Sequence, residues 1–128
     1  MGRDSTDAKR AALVVLLADD ELVVRSLAQS ILTRAGYRVL NAVDGAHALE
    51  VSRGYPGFID VLLTDIKMPK MDGVELSANI ARERPGIKIL FMSGKQSGEL
   101  DVLGEKREFL RKPFFPEDLC EKVSSLFE

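Results

Sequence analysis

Five side chains whose chemistry suits a phosphoryl group each follow a short apolar segment of this sequence: Asp19, Asp20, Asp65, Ser93 and Lys112. Carboxylate oxygens are the ligands that a hard cation such as Mg²⁺ prefers. A metal-bound carboxylate can attack phosphorus and form an aspartyl-phosphate, while a lysine ammonium stabilises charge on the equatorial oxygens. A serine hydroxyl can then hydrogen-bond a phosphate oxygen. The set is therefore suited to metal-assisted phosphoryl chemistry on an aspartate.

The elements that would position these side chains alternate along the chain. Apolar runs predict five strands, and apolar residues at helical spacing fall between them. The strands are predicted over residues 13–18, 37–41, 58–65, 87–92 and 107–111, and the helices over residues 21–35, 44–52, 72–84 and from 116 onward. Continuous Val/Ile/Leu runs are typical of strands buried on both faces of a parallel sheet.

Local signals support the helix boundaries. Gly36 is suited to close the first helix, and Asp44 to cap the second. Asp72 and Glu75 have the spacing of a capping box, and Pro116 suits the first position of the last helix. The predicted buried stripe of the first helix is Val24, Leu27, Ala28, Ile31, Leu32 and Ala35, and that of the last is Leu119, Val123, Leu126 and Phe127.

Alternating strands and helices predict an α/β fold, a doubly wound parallel sheet of five strands with helices on both faces and right-handed crossovers. Ligands of such sheets bind beyond the carboxyl ends of the strands. The five side chains all follow strand ends, so we expect them to meet at one edge of the sheet.

Composition excludes several classes of protein. With 128 residues the chain is one domain, and a net charge of −2 with mixed signs argues against direct nucleic-acid binding. Its single cysteine, Cys120, excludes an internal disulfide and is compatible with a cytoplasmic protein. No apolar stretch reaches the ~18 residues of a membrane span. Residues 1–11 are polar and are predicted to be a disordered tail preceding a domain over residues 12–128.

In this order, the motifs resemble the receiver domain of bacterial two-component response regulators. The resemblance covers residues 12–127 and rests on five short motifs, each weak when taken singly. They are Asp19-Asp20, Asp65 followed by Met68-Pro69 and Asp72-Gly73, Ser93-Gly94, and Lys112-Pro113-Phe114. The resemblance implies a flavodoxin-like sheet with strand order 2-1-3-4-5 and a phosphorylation switch, stand-alone or part of a hybrid histidine kinase, that is not a turnover enzyme.

The resemblance also implies roles for individual residues. Asp65 would be the phosphoacceptor, with Mg²⁺ or Mn²⁺ bound by Asp20 directly, by Asp19 through water, and by the Lys67 carbonyl. Lys112 would pair with the phosphoryl group, and its bond to Pro113 is typically cis. Ser93 and Phe109 would form the switch pair that responds to phosphate. The donor would be a sensor histidine kinase or a histidine phosphotransfer protein.

The sequence departs from the family pattern in two places. Lys67 and Lys95 occupy positions whose side chains flank the phosphoryl group and help to set its lifetime in the family. The segment 96–106 is short and contains two glycines, so the helix expected between the fourth and fifth strands, the fourth in order, is predicted to be short or irregular. A dimer through that face is therefore in doubt, and the oligomeric state is left open.

Three other functions remain open from the residues alone. An aspartate-nucleophile phosphatase would use Asp-x-Asp after the first strand, which Asp19-Asp20-Glu21 lacks. A receiver-like interaction module would keep the site without accepting phosphate. A flavodoxin-like cofactor binder would need a phosphate-cradling loop after the first strand, and none is present. Val23, which points away from the predicted stripe, is either an ordinary exposed residue or part of the kinase-docking face.

Overall fold

The computed structural model describes residues 12–94 and 108–128, and its elements alternate in the predicted order. The strands are β1 Val14–Ala18, β2 Arg38–Ala42, β3 Val61–Asp65, β4 Lys88–Ser93 and β5 Phe109–Arg111. The helices are α1 Leu22–Arg34, α2 Gly45–Gly54, α3 Gly73–Glu83 and α4 Pro116–Ser125. All four strand pairings are parallel, in the order β2-β1-β3-β4-β5. The predicted fold class and strand order are confirmed.

Strand register brings the predicted site residues to one edge. Ala18 on β1 pairs with Thr64 on β3, so the residues that follow them, Asp19 and Asp65, lie side by side at the edge of the sheet. Ser93 on β4 pairs with Arg111 on β5, which precedes Lys112. Parallel strands that end in register place their next residues at the same edge.

Helices cover both faces of the sheet. On one face α1 and α4 pack on the strands through Ala28, Ile31, Leu32, Leu119 and Val123. On the other face α2 and α3 pack through Ala48, Leu49, Leu76 and Ile80. All five residues of β1 and all five of β3 are buried, because both central strands lie under helices on each side. A rigid two-sided core thus supports the edge where the acids lie.

The two aspartate caps, the glycine after α1 and the proline at the start of α4 are confirmed. The Asp44 side chain accepts from the His47 backbone N–H, and Asp72 accepts from that of Glu75, each at 2.8 Å. Gly36 follows α1 with φ +100°, a conformation that favours glycine. The predicted buried stripes are too wide, since Leu27 is 48% exposed and Phe127, beyond the end of α4, is 42% exposed.

Several predictions lie outside the described residues. These are the tail over residues 1–11, Lys95, and the short or irregular helix between β4 and β5, which falls in residues 95–107. Within the part of the chain that the structure describes, none of the helices combines the length and apolar character needed to cross a membrane.

Candidate functional site

Asp65 is the last residue of β3, and 7% of its surface is exposed. The chain turns sharply after it, because the Gly73 N–H donates to the Ile66 carbonyl at 2.7 Å. A Cβ atom on Gly73 would lie 2.1 Å from the Asp65 carbonyl oxygen. The loop that carries Asp65 therefore closes against the start of α3 only because residue 73 has no side chain.

Asp19 is fully buried beyond the end of β1. Its backbone N–H donates to the Ala42 carbonyl at 3.2 Å, and its carboxylate accepts from the Glu21 N–H at 2.8 Å. The Arg25 guanidinium donates to the Asp19 carbonyl at 2.7 Å. These contacts from β2 and α1 hold the Asp19 carboxylate toward the centre of the site.

Lys112 follows β5 and precedes Pro113 through a cis peptide bond, as predicted. The backbone N–H of Lys112 donates to the Ser93 carbonyl at 2.8 Å, which fixes the lysine backbone beside the end of β4. From there its Nζ atom reaches three carboxylates. It lies 3.2 Å from an oxygen of Asp19, 3.2 Å from one of Glu21 and 3.3 Å from Oδ1 of Asp65.

Burial and charge perturb all three central groups. Burial raises the pKa of Asp65 to about 6, with Asp19 and Asp20 adding to the rise and Lys112 opposing it. Burial likewise raises the pKa of Asp19 against the opposing effects of the Glu21 N–H and Lys112. The pKa of Lys112, which burial alone would lower, is raised by the carboxylates of Asp65 and Asp19. The site thus holds more negative charge than one lysine balances, which suits a divalent cation.

The donor set fits such a cation. Oxygen atoms of Asp19, Glu21 and Asp65 all lie within 4.8 Å of one another. Asp20, the predicted direct ligand, has an exposed side chain but is near enough to raise the pKa of Asp65. Glu21 was not among the predicted site residues. Its only sequence signal is its place as the third consecutive acid after β1, which equally suits a solvated residue at a helix start.

The predicted switch residues lie close to the same edge. Ser93 is the last residue of β4, one position inside the strand rather than after it, and is 1% exposed. Phe109, on β5, is half-buried and packs with Ile66 and Phe91. Lys67, two residues after Asp65, is exposed.

A groove of about 390 Å³ opens beside Lys112. Its walls come from the start of α1 and from the segment after β5, including Val23, Leu27, Pro113 and Phe114, and Glu21 and Lys112 also line it. Val23 is 79% exposed and its neighbour Leu22 64%. Apolar surface thus adjoins the charged site directly.

The chain is similar in sequence and in structure to known receiver domains. The model of the response regulator receiver domain family matches residues 15–124. The response regulator receiver protein CpdR of Brucella abortus is 34% identical over 115 residues, which are 88% of this chain and 94% of that protein. A crystal structure of a response regulator receiver protein from Sinorhizobium medicae aligns with a TM-score of 0.79 at 32% identity, covering 90% of this chain and 94% of that one.

Other relatives are longer than this chain. The sensor kinase CckA of Brucella abortus is 34% identical over 127 residues, which are 97% of this chain but 13% of that protein. The chain spans about half the length of several further curated relatives that it matches.

Proposed function

The chain belongs to the response regulator receiver domain family, and from that premise we propose that it is a phosphorylation switch that accepts a phosphoryl group on Asp65 from a phosphohistidine. Receiver domains are phosphoacceptor modules of two-component signalling. The observation that carries the proposal is the contact of the Lys112 Nζ atom with the Asp65 carboxylate at 3.3 Å in a buried acidic site. An acceptor oxygen and a counter-charge for the incoming group are already adjacent.

The transfer needs an ionised carboxylate as nucleophile. The pKa of Asp65, at about 6, leaves the group mostly ionised near neutral pH. One carboxylate oxygen attacks phosphorus as the phosphorus–nitrogen bond of the donor breaks, and the imidazole leaves with the electron pair. Lys112 then stabilises the charge on the equatorial oxygens of the transferring group. The product is an acyl phosphate on Asp65.

A divalent cation fits the acidic site, and Mg²⁺ or Mn²⁺ is the proposed cofactor. Asp20 and Asp65 would bind it, with Asp19 acting through water and the Lys67 carbonyl as a further ligand. When bound, the ion supplies positive charge to oxygens of the transferring phosphoryl group. The closeness of Asp19 and Asp65 supports this proposal, because these carboxylates share one lysine with Glu21 and their combined negative charge exceeds that of a single ammonium.

The proposed readout of phosphorylation is a pair of side chains. Ser93 ends β4, one residue after the partner of Asp65 in the sheet, and its hydroxyl would hydrogen-bond an oxygen of the phosphoryl group. Phe109, half-buried against Ile66 and Phe91, would turn further inward when Ser93 moves toward the phosphate. Phosphorylation then biases a two-state equilibrium through contacts that only one state makes.

The proposed donor is a sensor histidine kinase or a histidine phosphotransfer protein. The groove beside Lys112 supports this, since its exposed Val23 and Leu27 offer apolar surface to a helical partner next to the acceptor. The similarity to part of the sensor kinase CckA is compatible with a receiver attached to a kinase and equally with a stand-alone one. The cytoplasm remains the proposed compartment, supported by the single free cysteine.

The donor proposal is tested by transfer from a radiolabelled histidine kinase or phosphotransfer protein. Label should move to the wild-type chain only with Mg²⁺ present, and chelation should stop it. If a panel of such donors transfers nothing, the chain is a phosphate-independent interaction module, the main alternative. Release of inorganic phosphate from an external phosphoester at many turnovers per chain would instead indicate the phosphatase class.

A further inference from the structure

The Lys112 ammonium is shared among three carboxylates. An ammonium has three N–H donors, and its Nζ atom lies 3.2 to 3.3 Å from oxygens of Asp19, Glu21 and Asp65. The ammonium therefore donates hydrogen bonds to Asp19 and Glu21 and forms an ion pair with Asp65 before any phosphoryl group arrives. A phosphoryl group on Asp65 has to compete with Asp19 and Glu21 for the N–H donors of Lys112.

The three contacts differ in how easily they can be released. The Asp19 side chain is fully buried and that of Asp65 is 10% exposed, whereas that of Glu21 is 62% exposed. Leaving a buried carboxylate without a partner is strongly destabilising, but an exposed ion pair contributes little because water solvates the freed group. Glu21 is therefore the partner that Lys112 can give up at the lowest cost.

Glu21 also lies at the N-cap of α1, where a side chain normally accepts a hydrogen bond from the first N–H groups of the helix. It is the N-cap residue of α1, with extended φ and ψ of −93° and 115°, yet within the described residues its side chain makes no capping hydrogen bond. Short acceptors such as Asp or Ser are preferred there because they reach the helix N–H groups. The longer glutamate extends to Lys112 instead, at 3.2 Å.

We propose that Glu21 is a releasable competitor for Lys112: it holds the ammonium in the resting site and opposes its engagement with an incoming phosphoryl group. This rests on the proposed function of Asp65 as phosphoacceptor. Phosphorylation exchanges the Glu21 contact for a contact with the phosphoryl group, and Glu21 returns to solvent. Glu21 thus sets how readily the site is loaded, acting through Lys112 and not on the phosphorus atom.

Two substitutions of Glu21 separate the effect of its contact with Lys112 from the effect of its negative charge. Glu21→Gln removes the charge, whereas Glu21→Asp keeps it but shortens the side chain by about 1.5 Å and favours capping of α1. Both should raise the rate of phosphorylation by acetyl phosphate with saturating Mg²⁺, by about two- to fivefold. Glu50→Gln, an exposed glutamate on α2, controls for net charge and should leave the rate unchanged.

Three results overturn the proposal. If Glu21→Gln accelerates loading but Glu21→Asp does not, the effect is general repulsion of an anionic donor. Slower loading in either variant means that Glu21 positions Lys112 productively. A tenfold or larger loss of Mg²⁺ affinity in Glu21→Gln, measured by titration calorimetry without phosphodonor, makes Glu21 a metal ligand; the proposal predicts a change of less than about threefold.

The contact itself can be observed without phosphorylation. In lysine-labelled, metal-free protein, the Lys112 ammonium protons should exchange with water faster in Glu21→Gln than in the wild type, while Glu50→Gln matches the wild type. Equal exchange rates would contradict the proposal. A wild type that no donor phosphorylates would instead overturn the proposed function, and the exchange measurement would still show whether Glu21 restrains Lys112.

Discussion

The Nζ atom of Lys112 lies 3.3 Å from Oδ1 of Asp65, although the strands that present the two residues, β5 and β3, are separated by β4. Neighbouring strands are about 4.8 Å apart, so the lysine spans two strand spacings. Its backbone N–H is fixed to the Ser93 carbonyl on β4, and only a long, flexible side chain reaches Asp65 from there. The end of β4 thus connects the acceptor to its counter-charge.

Removal of the Asp65 charge should stabilise the metal-free protein near pH 7. The pKa of Asp65 is raised from 3.8 to about 6, so the folded state binds its proton more tightly than the unfolded chain does. The associated stability is present below about pH 4 and is lost as pH rises through about 6. The full shift corresponds to ~3 kcal/mol, and screening by the solvent that still reaches the site reduces this to about 1–2 kcal/mol.

We therefore expect Asp65→Asn to raise the free energy of unfolding by about 1–2 kcal/mol near pH 7 in EDTA, and by much less near pH 4. Denaturant titration followed by circular dichroism at both pH values measures this. Asp20→Asn, at the exposed neighbouring acid, should give a smaller increase. A destabilised Asp65→Asn protein near pH 7 would show that the Lys112 contact outweighs the effect of burial.

A methyl group at residue 73 should disrupt the acceptor loop. In Gly73→Ala the Cβ atom would lie 2.1 Å from the Asp65 carbonyl oxygen, a backbone atom that cannot move aside without displacing Asp65. We expect a loss of roughly 2–3 kcal/mol in stability and weaker Mg²⁺ binding. Gly54→Ala is the matched control, because nothing lies within 4 Å of its Cβ position; it should fold and bind as the wild type does. Equal stability of the two variants would contradict the packing argument.

An acidic residue at position 23 should impair transfer from a protein donor but not from a small molecule. Val23 is 79% exposed on the groove beside Lys112, so Val23→Asp removes apolar contact with a partner without disturbing the core. We expect about tenfold slower transfer from the cognate kinase or phosphotransfer protein, with an unchanged rate from acetyl phosphate. Val43→Asp makes the same change outside the groove and should leave both rates alone. A loss from both donors would indicate damage to the site.

The exposed Lys67 should prolong the life of the aspartyl-phosphate. It lies two residues after Asp65, and we expect its positive charge to attract the phosphoryl group and to hinder the approach of water. Lys67→Asn should shorten the lifetime by about two- to fivefold, while Lys88→Asn, at the start of β4 and the opposite end of the sheet, should not. Lys95→Glu carries the same sequence-based prediction of an altered lifetime. Unchanged decay in both Lys67→Asn and Lys95→Glu would contradict the prediction that these lysines help to set the lifetime of the aspartyl-phosphate.

Much of this geometry could be predicted from the sequence, because each buried strand of a parallel α/β sheet is a short run of apolar residues that can be recognised without knowledge of the rest of the fold. The apolar runs before Asp19 and Asp65 identified β1 and β3, and strand ends in register bring their acids together. Helix ends followed from single residues such as Gly36 and Asp44, whose short-range chemistry depends little on the rest of the fold.

The burial of individual residues and the contacts between distant side chains could not be predicted, because they depend on distances between elements that no local sequence pattern encodes. Helical spacing gives the direction of a buried stripe but not its width, so the pattern predicts a buried Leu27, whereas the residue is 48% exposed and lines the groove. Glu21 was missed because its contact with Lys112 joins residues 91 positions apart through two flexible side chains. Such contacts are set by tertiary placement of the strand ends.

The most direct test of the account is the intact mass of the protein after incubation with acetyl phosphate and Mg²⁺, for the wild type and for Asp65→Asn. The account predicts a single phosphoryl adduct on the wild type that requires the cation and is lost in the variant. Because some receivers ignore small donors, the same comparison with a cognate kinase completes the measurement. A wild type without an adduct under both conditions, or an adduct that persists in Asp65→Asn, would contradict the assignment of Asp65 as phosphoacceptor.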